Sequence, residues 1–282
     1  MVWRTTCHTQ CAWARTTWLG AVWALLASIA YGQAVQTQPG IRSYEPNKAN
    51  VDDAIAKVKS GNFLAVDLDV IRRGGAVEAI PILKEQFVRV QEPLLKGKIA
   101  SVLIRLGSDD DTYWDFLVRL AAPALGSDAP DFMSYDSQGR SVPGPSLEFS
   151  AWAKAHNVAA NGPKGTTAED SVYIFPAEVA LLGTTRDPRA IPLLRRGLLS
   201  PNHMVEVMAA NGLAEIQDKD SIPLIIEACK RAPVEAARAI AESLVYFDDR
   251  AAQSAVDTYI PRDRAQMLRA AKAQGKKTPF TY

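Results

Sequence analysis

The side chains able to do chemistry are few in this chain and widely separated. Of three histidines, His8 falls in an atypical first stretch, leaving His156 and His203. The cysteines are Cys7, Cys11 and Cys229. Two histidines and one cysteine cannot complete a Cys/His zinc site without carboxylates. The run Asp109-Asp110-Asp111 lacks the alternating ligands and glycine turn of a calcium loop, and fits an acidic cap on a helix opening at Thr112. Asn161 to Thr167 (NGPKGTT) ends like a phosphate-binding loop, but its residue order is wrong and no strand precedes it. Cys229 lies in an apolar helical run and reads as a small buried hydrophobe. No nucleophile and base stand at a convincing spacing, so no catalytic residue, metal or cofactor is assigned.

What remains is the chemistry of binding. Arg195-Arg196 and Lys230-Arg231 occupy corresponding places at the ends of two similar helices. They suit either solvated charges opposing the helix dipole or a basic ladder along one edge. Phe132, Tyr135, Phe149, Trp152 and His156 bring aromatic character to a polar stretch rich in Gly and Pro. They either pin that stretch to the body or form an exposed patch, and Trp152 and His156, four apart on one helix, can face the same partner. These nine residues are the partner-binding candidates.

The elements that position them begin after a distinct leader. Arg4 and Arg15 are the only charges ahead of an uncharged run, Thr16 to Ala34, whose strongly apolar part, Trp18 to Ala30, is short for a membrane span of about 20 residues. Residues 1–34 therefore read as a signal peptide, cleaved after Ala30 or Ala34, with an uncleaved anchor as the alternative and the only expected membrane contact. The protein is expected to be exported, periplasmic or extracellular. Cys11 precedes the apolar core, which argues against lipid attachment, and a mature chain with Cys229 alone forms no internal disulfide. Cleavage removes Arg4 and Arg15, so the 32 basic residues become 30 against 31 acidic ones. Such a balance gives no polyelectrolyte signature, and nucleic acid is not an expected partner.

After a flexible leader at 35–49, apolar residues recur at three- and four-residue spacing and strand-type alternation is nearly absent. Three segments repeat about 30 residues apart, opening at Asp187, Asp218 and Asp248, each after an apolar helix. Pro192 and Pro223 fall in the first turn of the helix that follows, where a missing N–H costs little. Gly75 to Leu83, with Pro81, is a further copy, and Ser108 to Leu117 a weaker one without the proline.

These motifs resemble the HEAT-repeat family, in particular the short bacterial variety also seen in phycobilin lyases. The resemblance implies an all-α fold, an α-α superhelical solenoid of about five helix pairs over 50–260, and binding rather than one shared chemistry. Residues 261–282 would supply a capping helix and tail. One long insertion, 123–170, carries five Pro and five Gly with a single helical stretch near Ser146 to His156. The expected function is a protein-binding scaffold or adaptor that uses the concave face and the insertion to hold a protein partner, without catalysis. The alternatives are a lyase-like enzyme with a site between insertion and helices, for which His156 and Asp131 are candidates, and an envelope glycan binder.

Overall fold

The computed structural model describes residues 46–158 and 173–273. The signal segment, most of the leader, the Asn161 to Thr167 loop and the end of the tail lie outside the described residues. Among the described residues thirteen α-helices follow in chain order: α1 (Lys48–Ser60), α2 (Ala65–Gly74), α3 (Ile80–Arg89), α4 (Pro93–Arg105), α5 (Asp111–Gly126), α6 (Leu147–Ala155), α7 (Ala177–Thr184), α8 (Ala190–Gly197), α9 (His203–Ile216), α10 (Ile222–Arg231), α11 (Val234–Glu242), α12 (Arg250–Tyr259) and α13 (Arg262–Ala273). Two short strands, β1 (Met133–Tyr135) and β2 (Ser141–Pro145), pair antiparallel between α5 and α6.

All helices except α6 fall into pairs: α1 with α2, α3 with α4, α5 with α7, α8 with α9, α10 with α11 and α12 with α13. The second members form a continuous row, α2 against α4, α4 against α7, α7 against α9 and α9 against α11. That is the α-α solenoid expected, with five pairs up to Glu242 and a sixth in which α12 meets the capping helix. One edge of the solenoid carries every turn from a first to a second helix, and the opposite edge carries the turns between pairs.

Local chemistry explains the turns between pairs. Asp187, Asp110 and Asp249 each accept a backbone N–H near the start of the next helix, from Arg189 (2.9 Å), Thr112 (3.0 Å) and Ala252 (3.0 Å). Asp218 differs, because its carboxylate is taken by Arg195 and Ser221. Pro81 and Pro223 sit in the first turns of α3 and α10, as their fixed φ favours. Arg189 crosses between pairs, with a 2.7 Å ion pair to Asp111 and a guanidinium 4.6 Å from the Trp114 ring centre.

The inner row is built from small residues and packs very closely. A Cβ added to Gly183 of α7 would run into the Gly212 Cα of α9, so two glycines permit that contact. Residues Ala177 to Gly183 and Val205 to Ala214 are buried along their whole length. Curvature is tight enough for Arg72 of α2 to reach Glu215 of α9, three inner helices further on, at 3.8 Å. The expectation of a concave binding face is therefore corrected for α7 and α9: Ala177 to Gly183 and Val205 to Ala214 present no exposed side chain to a partner.

Candidate functional site at the insertion edge

The insertion begins later than its prolines suggest. Pro123 lies inside α5, which continues to Gly126 instead of stopping near Ala122. Ala124 is buried, and the Leu125 carbonyl is held by Arg196 (3.0 and 3.1 Å), so the last turn gains partners that offset the proline. Beyond it, the stretch expected to be loop contains the β1–β2 hairpin. Asp136 Oδ1 accepts from the Gln138 and Arg140 amides (2.8 and 3.0 Å), and Gly139 turns the chain with φ +72°. Ser146 caps α6 through the Phe149 amide (2.9 Å) and donates to the Asp131 carbonyl (2.6 Å).

This hairpin leans forward over later repeats. Its tip rests on the start of α11: the Glu235 amide donates to the Gly139 carbonyl (3.2 Å), and the Ser141 amide donates to Glu235 Oε2 (2.8 Å). Nearer its base, Asp131 accepts from the Tyr135 hydroxyl (2.7 Å) and the Met133 amide (3.2 Å). The Tyr135 ring lies edge-on to His203, with centroids 6.3 Å apart, at the start of α9. His203 Nδ1 meets Glu206 Oε2 (2.8 Å), and the other Glu206 oxygen accepts from Arg231 (2.7 Å). Burial pushes the Asp131 carboxyl up, while the Tyr135 hydroxyl and the nearby His203 pull it back. A polar seam thus fastens the insertion across two helix starts.

The aromatic candidates divide. Of the two readings, pinning the stretch or forming an exposed patch, Phe132 and Phe149 fit the first: they are 8% and 0% exposed, packed edge-to-face at 5.2 Å in a satellite core with Ala153 and Ile174. Trp152 is half-buried, with its indole N–H on Asp128 (2.8 Å), and His156 stacks on it at 4.4 Å. His156 is exposed, but its Nδ1 meets the Trp152 carbonyl (2.8 Å) and it has no contact with Asp131. Tyr135 is intermediate in exposure and belongs to the seam.

The basic pairs do recur, but as internal ties. Arg196 reaches back to the last carbonyl of α5, and Arg231 reaches back in the same way to Leu198, just past α8 (2.8 Å). Arg195 is paired with Asp218 (2.8 Å) and bonded to Ser221 (2.8 Å). Arg196, Lys230 and Arg231 are exposed, and Lys230 pairs with Glu227 (3.0 Å). Of the two readings, solvated helix-end charges or a basic ladder from Arg195, Arg196, Lys230 and Arg231, the ladder has less support, since helix-end carbonyls and carboxylates engage donors of all three arginines.

Sequence reasoning missed the apolar character of this edge. Among the described residues, eleven large apolar side chains are exposed, and eight lie on the edge from which the insertion emerges: Leu64, Val66, Val88, Leu94, Val142, Leu147, Leu199 and Val234. Leu147, Leu64 and Leu199 are 85%, 70% and 68% exposed. The available signal was leucine beside a helix start or stop, where a polar residue would serve better. His203 and Glu206 were also missed, although three-residue spacing at a helix start places them together.

Among the described residues, no group of three or more His, Cys, Asp or Glu is placed to hold a metal ion. Burial pushes the Cys229 thiol up to about 12, with Glu206 adding to the shift, so the thiolate form is suppressed. No described helix is long and apolar enough to cross a membrane.

No curated protein and no solved structure matches the chain. The family model for HEAT repeats matches residues 177–273, the span from α7 to α13. HEAT repeats generally serve as scaffolds for protein–protein interaction. Built of paired helices in inner and outer rows with aspartate turns between them, residues 177–273 of this chain are HEAT repeats, set in an α-α solenoid that extends towards the N-terminus.

Proposed function

We propose that this is an exported protein-binding scaffold without catalysis, and that its docking surface is the insertion edge. The observation that carries the reading is the concentration of exposed apolar side chains there. Isolated exposed leucines are ordinary, but a row of them along one edge marks an interaction surface. The hairpin and α6 rise from the middle of that row and would add Val142 and Leu147 to it. Export is inferred from the signal-like character of residues 1–34 and would place the partner in the periplasm or outside the cell.

A glycan-binding role is less well supported, because one face of Trp152 is occupied by His156 and its edge by Tyr173. A lyase-like role at His156 and Asp131 is less well supported, because His156 Nδ1 meets the Trp152 carbonyl and Asp131 is engaged by Tyr135 in holding the insertion.

The test replaces Leu64, Leu147 and Leu199 together by serine. These side chains are already in water, so helix content and melting should stay close to wild type. Affinity capture from the native envelope or culture fluid should then lose the partner that wild type retains. Undiminished capture would remove this edge from the argument. Mass determination of the native protein checks the export component, an intact Met1 end being the result against cleavage.

A further inference from the structure

On the edge opposite the insertion, the geometry points to a binding site for a small oxyanion of the phosphate or sulfate class, held by Arg72, Arg105 and Arg186. The three guanidiniums come from the ends of three successive inner helices: Arg72 from the last turn of α2, Arg105 from the last residue of α4, and Arg186 from the turn after α7. Nearby carboxylates fall short of matching them. Asp69 is paired with Lys98 at 3.0 Å, and only more loosely with Arg72 at 3.4 Å. Glu215 Oε1 lies 2.8 Å from Arg186 and 3.8 Å from Arg72.

Arg105 is the most telling of the three. Among the described residues its guanidinium makes no hydrogen bond and no ion pair, and the charges that act on it are Arg186, Glu215 and Arg72. Burial first, and then Arg186, hold its pKa below the usual arginine value. Arg72 is nine-tenths buried, and its Nε has no partner. A buried guanidinium nitrogen left unpaired is costly, and arginines gathered against too few carboxylates are expensive unless something negative joins them. With Lys98 matched to Asp69, three guanidiniums face one carboxylate. The surplus is two positive charges, which a dianion balances. Donors converging from three helix ends suit a tetrahedral group with several oxygens better than one planar fork. Arg105 and Arg186 are partly exposed, so the site opens to solvent.

Thermal melting of the purified protein against inorganic phosphate, sulfate, glutarate and chloride at matched ionic strength tests this. Phosphate or sulfate should raise the melting temperature progressively with concentration, beyond any effect of chloride. Arg105→Gln should abolish that rise while melting no lower than wild type in chloride, because the side chain removed makes no bond. Arg73→Gln, on an exposed neighbour outside the cluster, should keep it. A phosphate response no larger than that to chloride would overturn the proposal, as would one that survives Arg105→Gln. Stabilisation by glutarate alone would overturn the assignment to a tetrahedral oxyanion.

Discussion

Single residues carry the energetic surprises of this molecule, and Glu178 is the clearest. It lies in the first turn of α7, buried, with Oε2 lacking any hydrogen-bond partner. Burial, aided by Glu92, pushes its carboxyl up to about 7 from the usual 4.5. A carboxyl whose pKa is raised on folding binds its proton more tightly in the folded state. Stability is therefore greatest below about pH 4.5 as far as this group is concerned, falls as pH rises towards 7, and is flat above. At about 1.4 kcal/mol per pKa unit the loss is at most about 3.5 kcal/mol. Urea melts at pH 5 and pH 8 should show Glu178→Gln abolishing most of that pH dependence and stabilising the protein at pH 8. An equal pH dependence in both proteins would mean that Glu178 is hydrated in solution.

The close contact between Gly183 and Gly212 makes the opposite kind of demand at the same scale. Gly183→Ala places a methyl against backbone that cannot step aside. Although alanine is the better helix former, overpacking should dominate and cost about 1–3 kcal/mol in denaturant unfolding. A neutral or stabilising result would show that α7 and α9 separate easily.

Among the elements, the insertion is the one whose stability is borrowed. A two-stranded hairpin is marginal alone, and this one has three residues in β1 and a proline-containing β2. Its footing is Glu235, 94 residues away from Ser141 in sequence. Replacing Glu235 by alanine should leave the global melting transition within a few degrees of wild type, yet speed proteolysis near Gly139. Cleavage unchanged in rate would assign the anchoring to the Asp131, Tyr135 and His203 seam instead.

The same contrast explains what could be read from sequence. The helices were legible because apolar period, proline placement and aspartate turns are local signals that agree with one another. The helical nature of Arg262–Ala273 and of Leu147–Ala155 was legible for that reason. The hairpin was not, because β1 is too short to show alternation and β2 contains proline and glycine. Nor was the continuation of α5 through Pro123, which depends on Arg196 arriving from another repeat. Basic residues at helix ends were correctly placed in register, but their carbonyl partners belong to neighbouring helices and leave no trace beside them in the chain. Exposure of Leu64, Leu147 and Leu199 is likewise a tertiary property, hidden until the helix ends are in place.

For the molecule as a whole, repeat arrays ordinarily gain stability from neighbour to neighbour, so that ends open before the middle. Here the Arg72 to Glu215 contact and the insertion both join repeats that are not adjacent, which should make the central repeats open together. Hydrogen exchange should find α12 and α13 opening first, with α4, α7 and α9 exchanging only by global unfolding. Independent exchange rates for α4 and α9 would show that those long-range ties contribute little.

The forward lean of the hairpin also sets an order of events in time. Residues 131 to 146 leave the ribosome well before His203, and long before Glu235, so at the outset the hairpin has nothing beneath it. Phe132 and Tyr135 must wait for polypeptide still to be made. A chain that stops short of α11 would therefore keep an unseated hairpin on display, legible to proteases and chaperones as the mark of an unfinished molecule.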